Sequence, residues 1–267
     1  ENIQAELVQV RPAVAIPGVT INSIDYTTAL QSSISARMRG APLVIVGVFS
    51  DKPMDFLVGA KGIRSAKDLK GRIVGISAVG TQTYFLIVRL LKAIGLEPDR
   101  DVTLRPVGDE GVRLQALQTG LIQATALGSQ GVIQADKEGM KVIVASADVI
   151  SSLAFAGLAT NTSKLKENPQ LIKRVLRASL KGLRYVQENR TGTINVLESW
   201  YRLDREVASA SYDLARKSYS ANGEVDLKGI ELNMEFAGLT GKIEKENAPS
   251  DMVNFALLRE ARKELGW

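Results

Sequence analysis

The sequence predicts an α/β protein built from two β/α halves and a mostly helical tail. Three observations predict it. Short β-branched runs alternate with helical periodicity, the helical stretches end on glycine, and past residue 160 the strand-like runs stop.

Residues 3–10 read as a strand, and Arg11-Pro12 opens a short helical stretch, because proline suits the first helical position. Pro17 and Gly18 are expected to interrupt it early. Ile24 to Thr27 reads as a strand end, and Leu30, Ile34 and Met38 then fall one turn apart on a helix that stops at Gly40. Leu43 to Phe49 is a buried strand and Asp55 to Ala60 a further one. Ser65-Ala66-Lys67-Asp68 has the spacing of a capping box, before a short helix closed by Gly71. A second series follows: strand 72–77, helix 81–94 ended by Gly95, strand 102–107, helix 109–119 ended by Gly120, strand 122–127, helix 129–138 up to Gly139, and strand 141–146. After the extended run 154–160 come helices over 169–188, 191–203, 204–218, 227–239 and 250–265. Trp200 and Tyr201 are expected to pack with Leu197 and Leu203.

Composition narrows function. A chain of 267 residues, 45% hydrophobic, is long enough for two lobes. It has no cysteine and no histidine, which removes thiol nucleophiles, Cys/His zinc sites and every imidazole-based triad. The net charge of +5 is dispersed, only 5% of residues are aromatic, and no nucleic-acid-binding motif is visible, so a nucleic-acid partner is not expected. There is no run of 18 apolar residues, and Glu1-Asn2-Ile3-Gln4 is not a leader, so any signal peptide is expected to have been removed.

Several pieces, in order, resemble the NitT/TauT/SsuA-type substrate-binding proteins of ABC transporters, also called NMT1/THI5-like, which have the type II periplasmic-binding-protein fold. They are Asn22-Ser23-Ile24-Asp25-Tyr26-Thr27-Thr28, the turn Arg39-Gly40-Ala41-Pro42, the connector from Ser65 to Gly75, Gly80-Thr81-Gln82-Thr83, Leu114 to Gly120, and the ending Leu257 to Gly266. The resemblance implies two lobes with a ligand in the cleft between them: 1–63 as the N-terminal part of lobe 1, 64–154 as lobe 2, and 155–267 as the return to lobe 1 with C-terminal helices. It implies a periplasmic or extracytoplasmic receptor, lipid-anchored in a Gram-positive bacterium, that binds a small anionic or polar solute: a sulfonate, nitrate, a pyrimidine precursor or an aromatic acid. The partners are that solute and an ABC permease, with no metal and no cofactor. Two departures stand out. Gln123 replaces a usual Asp, and Pro17 lies in the first helix.

Open α/β sheets bind ligands beyond the C-terminal ends of their strands, which selects three clusters. Ser77, Gly80, Thr81, Gln82 and Thr83 combine a tight turn, hydroxyls and the free amides of a helix start, where an anion is attracted; Thr81 serves equally as an N-cap. Tyr26, Thr27 and Thr28 offer a phenol and hydroxyls, or else a core tyrosine and a cap. Gly128, Ser129 and Gln130 allow close backbone approach, or supply only a cap. Arg11 can pair with a sulfonate or carboxylate, or lie solvated at the surface. Asp109-Glu110 opens a helix, where acidic residues complement the dipole.

The resemblance favours a binding protein over an enzyme. An enzyme on the same fold acting on a small carboxylate, and a ligand-sensing domain, are the alternatives. Family members also begin with a strand and helix upstream of residues 3–10, and these are missing here. An upstream strand between 3–10 and 24–28 is therefore expected in the native protein, which is a monomer unless a neighbour supplies that strand.

Overall fold

A computed structural model describes residues 1–239 and 247–267. The chain begins with α1 (Pro12–Thr20), α2 (Leu30–Met38), β1 (Leu43–Ser50), β2 (Phe56–Gly59), α3 (Ala66–Leu69), β3 (Ile73–Ile76) and α4 (Gln82–Ala93). It continues through β4 (Thr103–Pro106), α5 (Glu110–Gln118), β5 (Ala124–Leu127), α6 (Ser129–Lys137), β6 (Lys141–Ala145), α7 (Ser146–Val149) and β7 (Ala156–Asn161). The tail is α8 (Thr162–Glu167), α9 (Pro169–Glu188), α10 (Arg190–Tyr201), α11 (Arg205–Ala215), α12 (Leu227–Gly238) and α13 (Ala256–Glu264), with 3-10 turns at Arg216–Ser218 and Pro249–Met252. Among the described residues no helix is long and apolar enough to cross a membrane. The fold class is mixed α/β, as expected.

Two compact units form. The first takes Glu1–Lys52, Ser152–Arg190 and Tyr219–Trp267; the second takes Pro53–Ser151 and Thr191–Ser218. The sequence divides the chain at 63/64 and 154/155 instead. Pairing explains the shift, because β2 lies between β5 and β6 and so carries residues 53–63 into the second sheet. Leu214 of α11 packs on the second unit's core, which brings 191–218 with it.

In the first unit β1 and β7 pair antiparallel, with single-residue bridges from Thr27 to Ala159, Val253 to Ile45 and Tyr219 to Ser50. Leu30 and Ile34 of α2, Leu176 and Leu180 of α9, Ile230 of α12 and Leu258 of α13 pack on the sheet as its core. The sheet needs glycine at one crossing: a Cβ on Gly157 would lie 2.1 Å from the Gly47 carbonyl oxygen, where the register shifts. In the second unit the strand order is β4-β3-β5-β2-β6, with β3 parallel to β4 and β5, and β2 antiparallel to both its neighbours. Val58, Leu117, Ile122 and Leu127 are core residues of that unit.

Several expectations are corrected. Residues 3–10 form no strand; Leu7 and Val8 are 77% and 65% exposed. The segment is tied at its start to α9 rather than to a strand, Glu1 pairing with Arg177 and Lys181 and its carbonyl accepting from Arg174. The strand read at 24–27 shrinks to the one bridge at Thr27. α1 runs through Pro17 to Thr20, because Pro17 and Ala13, whose carbonyl loses its partner, both lie on the exposed face. Gly18 breaks nothing: a Cβ there would meet Ile24 Cδ1 at 2.6 Å, so the glycine permits close packing. Trp200 and Tyr201 are exposed, because α10 buries the side carrying Thr193 and Ile194 and turns Val196 and Trp200 the other way.

Candidate ligand-binding site

The strand directions of the second unit gather five segments at one edge. β3, β4 and β5 run parallel, and β2 opposes both β5 and β6. The residues after Ile76, Pro106, Leu127 and Ala145 therefore share that edge with the residue before Phe56. α4, α5 and α6 begin there.

At α4, Gly80 turns the chain with φ +78°, a conformation open to glycine. Thr81 is the N-cap: its Oγ1 accepts from Tyr84 N–H at 3.3 Å and lies 2.6 Å from Ser77 Oγ and 2.7 Å from the Ala78 carbonyl. Thr81 and Ser77 thus bind each other and the turn. Gln82 and Thr83 are partly buried in the first turn, and among the described residues their amides have no acceptor.

At α6, Gly128 is the N-cap and Ser129 the first helical residue, with Gln130 exposed. The Gly128 amide donates to Glu110 Oε1 at 3.1 Å. A Cβ on Gly131 would lie 2.7 Å from that same oxygen, so the bare backbone of α6 leaves room for the Glu110 carboxylate. Asp109 does what its position suggests and accepts from Val112 N–H as the N-cap of α5. Glu110 does more than complement a dipole: it places its charge at the start of a different helix.

Beside it stands Asp55, immediately before β2. The buried Ser146 fixes its backbone: Asp55 N–H donates to Ser146 Oγ at 3.1 Å, and Ser146 N–H donates to the Asp55 carbonyl at 2.9 Å. The Asp55 carboxyl makes no hydrogen bond or ion pair among the described residues. Burial pushes its pKa up to about 6, with the Glu110 charge adding to the rise and the Arg113 guanidinium opposing it. Arg113 is 4% exposed and donates from Nε to Thr125 Oγ1, from Nη1 to the Gly108 carbonyl and from Nη2 to the Ala126 carbonyl. Burial lowers its pKa, against Glu110, Asp55 and Asp109, and it stays charged.

The first unit holds the remaining candidates. Tyr26 is partly buried against the core, its phenol pushed up to about 12 by burial and by Asp25. Thr27 is buried, exchanges backbone hydrogen bonds with Ala159 and accepts from Ala29 N–H on its hydroxyl. Thr28 is exposed. Arg11 is exposed at the N-cap of α1 and does not follow a strand. Gln123 lies at the other end of β5 from the candidate edge; it accepts from Ile73 N–H and donates to the Gly120 carbonyl, so its departure from the family pattern is a local structural one. Sequence reasoning did not select Asp55, Arg113 or Ser146. Glu110 was visible, but its partner, Gly128, lies 18 residues on. Among the described residues no group of side chains could hold a metal ion.

A model of the family described as NMT1/THI5 like matches residues 1–191. The riboflavin-binding protein RibY of Chloroflexus aurantiacus is 26% identical over 159 residues, 59% of this chain and 45% of that protein, so the match spans less than half of that relative. Among solved structures, the periplasmic sulfonate-binding protein SsuA of Methylobacillus flagellatus superposes with a TM-score of 0.77 at 20% identity, covering 95% of this chain and 79% of that one. The desulfurization enzyme DSZB shares the fold too, with a TM-score of 0.65 at 13% identity, covering 90% of this chain and 85% of that one.

Proposed function

The chain belongs to the NMT1/THI5-like family, and on that premise we propose that it is the extracytoplasmic solute-binding receptor of an ABC importer, which hands a small polar solute to a permease without changing it. The observation that carries the reading is the second unit's sheet edge. Three helix starts lie along that edge, where the amides of Gln82 and Thr83, which have no acceptor among the described residues, share one side of the sheet with the acceptors Asp55 and Glu110. Such an edge offers fixed donors and fixed acceptors at the place where open α/β sheets bind ligands. Ser77, Thr81 and the backbone of Gly128 to Gln130 shape the edge, with Gly80 supplying the turn. Within the first unit, taken by itself, Tyr26, Thr28 and Arg11 are the proposed solute-binding candidates.

The name of the relative RibY points to riboflavin, and that of the structural neighbour SsuA to sulfonates. Those two classes therefore head a thermal-shift panel with nitrate, pyrimidine precursors and aromatic acids. A solute that binds only the native protein, at 100 times its dissociation constant, adds about 2.7 kcal/mol and raises Tm measurably. A flat panel with a folded protein rejects the assignment of these solute classes. A second reading, an enzyme on this fold, draws on DSZB and on Asp55, which titrates close enough to neutrality to move a proton. Conversion of any stabilising solute, followed by mass spectrometry, would favour it over the receptor.

A further inference from the structure

The start of α6 is an anion-binding position on general grounds, since its first amides are unsatisfied and the helix dipole points there. In this protein the position is filled from within. Glu110 lays its carboxylate on the Gly128 amide, and the missing side chain of Gly131 makes room for it. The backbone of the adjacent Asp55 is fixed through Ser146, and its carboxyl is bonded to no donor among the described residues. Arg113, the cation that faces both carboxylates, is buried with Nε, Nη1 and Nη2 all turned to protein acceptors, so those nitrogens are already committed within the protein.

Building on the receptor reading, we propose that the bound solute presents hydrogen-bond donors, as hydroxyl, amide or ammonium, to Asp55 and Glu110, and that its acceptor or anionic end points toward the start of α4. An anionic group at the α6 end would face two carboxylates whose neighbouring cation, Arg113, is already bonded to protein acceptors, whereas a donor there gives Asp55 a partner it lacks among the described residues. The solute class is thereby narrowed from any small anion to one bearing donors at one end. A simple alkanesulfonate meets only half of this edge.

Paired probes, one bearing donor groups that the other lacks, test the proposal by isothermal titration. Taurine is compared with ethanesulfonate, which lacks the ammonium, and riboflavin with lumiflavin, which lacks the ribityl hydroxyls. In at least one pair the donor-bearing member is expected to bind at least tenfold tighter, with the ratio falling severalfold in Asp55→Asn or Glu110→Gln. Circular dichroism and melting curves confirm that both variants fold. Equal affinity within each pair, or a ratio unchanged in both variants, overturns this inference and leaves the receptor reading standing. No binding by any of the four probes overturns the inference together with the assignment to these solute classes.

Discussion

Replacing Asp55 by asparagine should make the protein more stable at neutral pH, and the size of the gain follows from the site. The carboxyl has an ordinary pKa of 3.8 in the unfolded chain and about 6 when folded, raised by burial and by Glu110 against the pull of Arg113. A raised carboxyl pKa means that the folded state prefers the protonated form. Its contribution to stability is therefore full below pH 3.8 and is lost as pH rises to about 6. The difference of 2.2 between the two values, at about 1.36 kcal/mol for each, corresponds to a cost of about 3 kcal/mol above pH 6. That figure is an upper limit, because Asp55 as a whole is only partly buried and water can screen its charge. Asparagine mimics the protonated acid and carries no such cost. The assay is a urea or thermal unfolding series of both proteins from pH 4 to pH 8. Carboxylates held below their usual range, such as Asp226 and Asp68, are common to both and cancel in the comparison. The expected advantage of Asp55→Asn is near zero at pH 4, grows through pH 5 to 6 and levels off at up to about 3 kcal/mol. A difference independent of pH, or a variant less stable than the parent at pH 7.5, would refute the reasoning.

Three further substitutions probe the same frame. Arg113→Lys should cost about 1 to 3 kcal/mol by leaving buried acceptors of the guanidinium fork unpaired, seen as a lower urea midpoint; an unchanged midpoint would contradict the role given to the fork. Gly131→Ala should displace the Glu110 carboxylate from Gly128, lose about 1 to 2 kcal/mol and bring faster amide exchange at Gly128, whereas unchanged exchange would count against that contact. Gly157→Ala places a methyl 2.1 Å from a carbonyl oxygen that belongs to backbone and cannot swing aside, and should cost about 3 kcal/mol or more. A melting temperature equal to the parent's would show that the β1–β7 crossing has room to spare.

Local signals carried far in this sequence, and contacts between distant residues did not. Gly40, Gly71, Gly95, Gly120 and Gly139 were read as stops, and each adopts a positive φ, because a left-handed residue is a property of a few neighbouring atoms. The Ser65–Asp68 pairing and the full span of α9 were equally visible, the one from spacing and the other from a periodicity held over five turns. Residues 3–10 failed as a strand because alternation says only that a segment suits a sheet, not that an edge is there to receive it. The candidate edge was legible in its turns but not in its charges. Ser77, Gly80 to Thr83 and Gly128 to Gln130 could be selected as residues that follow strands. Asp55 could not, since its neighbour Ser146 lies 91 residues away and meets it only when β2 inserts, antiparallel, between β5 and β6. Glu110 was read as an ordinary helix-opening acid, and nothing in its own neighbourhood shows that it caps the next helix.

The central claim is that this protein holds a small solute and releases it unchanged. Its most direct test is equilibrium dialysis against a solute picked from the thermal-shift panel, with the bound fraction quantified and identified by mass spectrometry after prolonged incubation. The account predicts saturation at one solute per chain and recovery of the solute chemically intact. Steady conversion of the solute, or uptake that never saturates, would contradict it.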